Sequence, residues 1–198
     1  YRGNKSITPQ DWLLDYMRAG IDAVAITDHN TAAWIDPLKS ALAELGTWRP
    51  EGYRELTLFP GVEITAHDGL HLLAIFDPSA TGHTVSALLG RVGCPERSDN
   101  HAAMCDQGSL EILKAIHSAS GIAIAAHVDE INGLYEVAAG STPPTLKRSQ
   151  RTIDSLLEHL QALQIVNPAA PQLQSLIPDL SQRLALISAS DAHKPSRA

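Results

Sequence analysis

Aromatic and sulfur-bearing residues are scarce in this chain: of 198 residues, two are Phe, three Trp, four Tyr, two Cys and two Met. The two cysteines, Cys94 and Cys105, fall in one stretch and are too few for a disulfide framework, so a reducing, cytoplasmic setting is expected. No apolar run approaches the ~20 residues that a bilayer-spanning helix needs, and no membrane association is expected. Basic residues are outnumbered, 15 Lys and Arg against 22 Asp and Glu, for a formal net charge of −7. That excludes the basic footprint of a dedicated nucleic-acid binder. It leaves open a nucleic-acid substrate, because bound cations can supply positive charge locally. No GxxxxGK[ST] loop occurs in these residues, and there is no internal repeat or low-complexity tract. The opening residues, YRGNKSITPQ, lack both an initiator Met and the pattern of a signal peptide, so the chain is expected to begin inside a longer protein.

Against these absences stand nine histidines. Their setting is an alternation of helical and strand-like runs. TPQDWLLDYMRAG reads as a helix with Thr8 as N-cap, Pro9 at its first position and Gly20 as its stop. DAVAIT reads as a short strand, and AAWIDPLKSALAELG as a helix ending at Gly46, with Pro37 a kink or the true start. ELTLFPGVEIT and LHLLAIF are strand-like runs joined by the turn AHDG. SLEILKAIHSASG is a helix capped by Ser109 and stopped by Gly121. IAIAAH is a strand, TIDSLLEHLQAL a helix, and LQIVN and LALISAS are two more strands. Strand followed by helix, repeated, predicts one α/β domain with a mainly parallel sheet or barrel, its strands buried on both faces. Residues 92–107 and 131–148 are turn-rich and polar and read as long surface loops.

Polar residues gather at the ends of the strand-like runs. AVAITDHN ends in Asp28-His29, PGVEIT carries Glu63, and LHLLAIF starts with His71. IAIAAHVD ends in His127 and Asp129, and LALISASDAH ends in Asp191 and His193. In parallel α/β folds and barrels, sites form where the C-terminal ends of strands converge. His71 lies at a strand start, so it joins them only if that strand runs antiparallel or if the residue sits in the preceding loop. A His, Asp and Glu set without Cys suits Zn, Mn or Fe better than a sulfur site.

Taken in order and spacing, ITDHN, GVEIT with HLLAIF, IAAHVD and SDAH resemble the later motifs of the PHP (polymerase and histidinol phosphatase) family, over roughly residues 8–193. GIAIAAHVD and GNKSITPQDWLLDYMRAGIDAVAITDHN resemble the PHP domain of the TrlF-like PHP–ATPase proteins. The resemblance implies a distorted seven-stranded, TIM-like (β/α) barrel holding two or three divalent metal ions, and hydrolysis of phosphate esters. It implies that Glu63 bridges two metals, that His71 and His127 bind one of them, that Asp191 binds the other, and that His29 and His193 bind a third. Glu63, Asp191 and His193 are then the catalytic candidates. Asp28 is expected to orient a neighbouring imidazole or backbone group rather than to bind metal. The family's opening His-x-His is absent, since no His precedes His29. The first strand is therefore expected to lie upstream of Tyr1, because a barrel without it leaves two unpaired edges.

The chemistry is coherent with this donor set. Paired metal ions, ~3.5–4 Å apart, polarise a phosphoester oxygen and ionise a water at neutral pH. Lys147, Arg148, Arg151 and Lys194 are candidates for phosphate contact, each against a plain surface role. His67 reads as a turn residue, and His101 with Cys94 and Cys105 as a weak zinc-knuckle signal. His117 and His159 read as helix-surface residues. The leading expectation is a phosphoesterase cleaving phosphodiesters, DNA or RNA among them, with an ATPase module in the same polypeptide. A small-molecule phosphomonoesterase and a non-catalytic metal-binding module are the alternatives.

Overall fold

Thr8 starts the first helix as its spacing predicts. In the computed structural model, which describes residues 7–95, 103–142, 145–174 and 176–188, its hydroxyl accepts from the Asp11 N–H ahead of α1 (Pro9–Arg18). A strand β1 (Ala23–Ala25) and helix α2 (Ile35–Trp48) follow. Pro37 sits in the first turn of α2, where its missing N–H costs no hydrogen bond. The run ELTLFPGVEIT splits at Pro60 into β2 (Thr57–Phe59) and β3 (Gly61–Thr65), and the turn after it leads into β4 (His71–Ile75). Helix α3 (Gly82–Arg91), which the sequence reading did not assign, precedes α4 (Ser109–Ser118) and β5 (Ile122–Ala125). The last described elements are α5 (Gln150–Leu157), β6 (Ala162–Ile165), the single turns α6 (Pro171–Gln174) and α7 (Ile177–Leu180), and β7 (Ala185–Ser188).

The fold is mixed α/β, but the sheet is less parallel than the alternation of elements predicts. β3 to β7 form one sheet in sequence order, with β3–β4 and β4–β5 antiparallel and β5–β6 and β6–β7 parallel. A hairpin-length link between β3 and β4 permits only antiparallel pairing, whereas the helix between β5 and β6 permits a parallel return. β1 pairs with β2 in parallel, and the chain beyond β1 continues along β3 through a bridge between His29 and Glu63. Gly61 stands at this junction because a Cβ there would lie 2.7 Å from the carbonyl oxygens of both Ile26 and Ala74. Among the described residues the strands do not close into a ring.

Side chains alternate across a strand, so register decides which residues share a face. Glu63 pairs with Leu73, and Leu73 with Ile124, while Thr65 pairs with His71. Val62, Ile64, Leu72 and Ala74 face the other way, into the large core that also takes Leu13, Met17, Ile35, Leu38, Ile112 and Ile116 from the helices. The first face carries its own small apolar cluster of Leu73, Ile124, Ala126 and Ala162. Glu63 and His71 lie along this same face, which gives them an apolar floor.

Two sequence expectations are corrected here. Residues 131–148 are not simply a surface loop: Gly133, Leu134, Tyr135 and Glu136 are buried. Their backbone is satisfied locally, with Tyr135 N–H donating to the Val128 carbonyl and Lys147 N–H to the Glu136 carbonyl. Cys94 and Cys105, too few for a disulfide framework, nevertheless pair in one disulfide, which ties the end of α3 to the segment before α4. β7 also departs from the buried-strand pattern, being largely exposed at the edge of its sheet among the described residues.

Candidate metal centre

Three imidazoles converge on one carboxylate oxygen. Glu63 Oε1 lies 2.8 Å from His71 Nδ1, 3.3 Å from His127 Nε2 and 3.5 Å from His29 Nε2. His71 Nδ1 and His127 Nε2 are 3.1 Å apart. The His71 ring meets both His29 and His127 edge-on, with centroids 5.0 Å apart in each case. Burial by itself would raise the Glu63 carboxyl. Hydrogen bonds from His127 and His71, with the charges of His29 and His71, overcome that and hold it well below the usual carboxylate range.

Each member is placed by its own element. Glu63 projects from β3, a strand buried along its whole length. His71 opens β4, and the antiparallel pairing with β3 is what brings a strand-start residue to the same end as Glu63. His29 is seated by backbone pairing on either side: Glu63 N–H donates to the Asp28 carbonyl at 3.1 Å and Asn30 N–H to the Glu63 carbonyl at 2.8 Å. His127, just past β5, has φ +28°, a conformation that residues with a Cβ rarely adopt. Its N–H donates to Gln164 Oε1 at 2.9 Å, so β6 helps to hold that turn.

His29, Glu63 and His71 each offer a ligand atom within 4.8 Å of the others, a spacing able to hold a metal ion, and His127 Nε2 borders the same carboxylate oxygen. Nitrogen and carboxylate donors around a half-buried point suit a divalent transition metal. Asp28 meets this group through its backbone, and burial, opposed by His29, raises its carboxyl from the ordinary value. Asp191, His193, Lys194 and His101 lie outside the described residues. His67 is exposed on its turn. Lys147 pairs with Glu136, and Arg148 donates to the carbonyls of Gly133 at 2.7 Å and Asp68 at 3.3 Å, so both act as loop ties in this structure. Asp129 accepts from the N–H groups of Val166 and Asn167, which makes it a turn cap.

Neutral amides that the sequence reading passed over complete the surroundings. Buried Asn30 donates to the Ala103 carbonyl at 2.9 Å and accepts from Thr65 N–H at 3.2 Å, stitching the His29 turn to β3 and to the disulfide segment. Asn132 lies against the outer nitrogen of His71. The sequence signals were faint: Asn30 only continues TDHN, and Asn132-Gly133 reads as a turn dipeptide.

No protein-family model matches the chain, and no curated protein matches it. Solved structures do. A candidate metal-dependent phosphoesterase from Bifidobacterium adolescentis superposes with a TM-score of 0.63 at 20% identity, over 96% of this chain and 85% of that one. The lesion-specific endonuclease PfuEndoQ from Pyrococcus furiosus gives 0.61 at 17% identity, over 97% of this chain but only 45% of that one. PsfC from Pseudomonas syringae gives 0.51 at 15% identity, over 94% of this chain and 68% of that one. The chain shares the fold of these proteins.

Proposed function

We propose that the protein is a metal-dependent phosphoesterase acting on phosphodiesters, nucleic acids among them. The observation that carries this reading is the convergence of three imidazoles on one oxygen of a buried carboxylate. Such a group is costly to assemble without a cation to bind. His29, Glu63, His71 and His127 would hold divalent metal, with Asp191 and His193 joining them as the motif resemblance implies. Bound divalent ions would polarise the phosphoryl oxygen and make a water ionisable near neutral pH. The chain's own contribution is to keep Glu63 ionised and to fix four donors from four separate segments. The apolar cluster of Leu73, Ile124, Ala126 and Ala162 keeps water from the underside.

Two proteins of the same fold support the reading, one a candidate metal-dependent phosphoesterase and one a lesion-specific endonuclease. An attached ATPase rests on sequence resemblance alone. The test is hydrolysis of bis-p-nitrophenyl phosphate with added Mn²⁺, in the protein and in His127→Ala. Mn²⁺-dependent turnover that drops at least ~100-fold in the variant is expected. Turnover that survives the substitution would refute the site.

A further inference from the structure

We propose that Asn132 is a positioning residue that sets the tautomer of His71, serving both its metal-free and its metal-bound forms. This rests on the metal-site reading above.

The two ring nitrogens of His71 face different partners. Nδ1 points inward, 2.8 Å from Glu63 Oε1. Nε2 points outward, 3.4 Å from the side-chain amide of Asn132. In a neutral imidazole only one nitrogen carries the proton. Facing the carboxylate without a metal, Nδ1 carries it and donates to Glu63, and Nε2 needs a donor. Binding metal through Nδ1 requires that nitrogen's lone pair, so the proton must sit on Nε2, which then needs an acceptor. A carboxamide offers an NH₂ on one side and a carbonyl on the other, and half a turn about its terminal bond exchanges them. Asn132 can therefore partner either tautomer, whereas a carboxylate would serve only the second and an apolar residue neither.

The loop is built to hold this amide in place. The Asn132 carbonyl accepts from His71 N–H at 3.1 Å, and Asn132 N–H donates to Glu136 Oε2 at 3.1 Å. Glu136 is buried and paired with Lys147. Gly133 lies so close to the turn after His127 that a Cβ would stand 2.4 Å from the His127 carbonyl oxygen. Asn132 itself has φ +64°, which Asn tolerates and Gly accepts freely. Glycine at 132 therefore removes the amide without straining the backbone.

The experiment compares wild type, Asn132→Gly and Asn132→Asp. Zn²⁺ and Mn²⁺ affinities are measured by calorimetry, and the His71 tautomer by ¹⁵N chemical shifts of histidine-labelled protein. Wild type is expected to carry the His71 proton on Nδ1 without metal and on Nε2 with it. Asn132→Gly should bind metal ~10–100-fold more weakly and lose the clean tautomer exchange, while Asn132→Asp, which still accepts from Nε2–H, should recover most of the affinity. Wild-type affinity and unchanged ¹⁵N shifts in Asn132→Gly would overturn the inference and leave the metal site standing. Absence of metal binding in wild type would overturn the metal-site reading itself and this inference with it.

Discussion

Histidines come together at two separate places in this molecule, and the two groups do opposite things. His117 on α4 and His159 just after α5 sit with ring centroids 6.2 Å apart, and His117 Nε2 donates to the His159 carbonyl at 2.7 Å. That is a cross-link between two helical segments, complete once a neutral oxygen has accepted the hydrogen bond. His29, His71 and His127 stand at similar ring distances, but what lies between them is the ionised Glu63. The carbonyl accepts one N–H and carries no net charge. A buried carboxylate couples all three rings to one charge, and a cation entering the group finds ring nitrogens and a carboxylate oxygen already gathered at a point. Proximity of imidazoles does not distinguish the two groups; the anion at the centre does.

The sharpest way to break this contrast is to neutralise the anion. Glu63→Gln should abolish metal-dependent phosphodiester hydrolysis by at least ~100-fold and weaken metal binding in a calorimetric titration. If it leaves both intact, the two histidine groups are alike after all. The disulfide gives the next effect. Cys94 and Cys105, 11 residues apart in sequence, tether the segment that receives Asn30, and replacing both by Ser should cost ~2–4 kcal/mol in denaturant unfolding.

A subtler effect is expected in pH. Glu63 is held below its ordinary value of 4.5, so the stability it contributes is complete above that value and is lost as pH falls below it. In metal-free protein, the difference in melting temperature between wild type and Glu63→Gln should therefore shrink from pH 6 towards pH 3. A gap that widens on acidification would contradict the placement of the carboxylate. Least of all, His117→Ala should alter hydrolysis less than ~2-fold and stability by roughly 1 kcal/mol, the worth of one ordinary hydrogen bond. A large loss of activity there would join the two groups that the geometry separates.

Where local chemistry fixes an element, the sequence was readable. Thr8-Pro9 announces α1, and the apolar runs around Glu63 and His71 announce β3 and β4. The direction of β4 is not a local property, because the same five residues suit either pairing; only the requirement that His71 reach Glu63 hinted at antiparallel. Helix α3 went unread because GHTVSALLGR begins and nearly ends in glycine, and its stability comes from packing Val85 and Leu88 into the core. Two cysteines in one chain carry no information about the distance between them, so their pairing had to come from the fold. The polar loop around Tyr135 misled for a related reason: turn residues signal bends, not exposure, and here the bends return to bury an aromatic ring. Asn30 and Asn132 were invisible as site residues because an uncharged amide looks the same whether it caps a turn or orients a histidine.

The backbone at His127 has a consequence for how this protein can be improved. A residue with a Cβ at φ +28° carries a cost of ~1–3 kcal/mol, which a glycine would largely remove. Selection for thermal robustness alone would thus drive position 127 towards glycine and discard an imidazole that borders Glu63. Consensus or stability-guided redesign meets the same conflict, and the turn after β5 is where it would trade away function first.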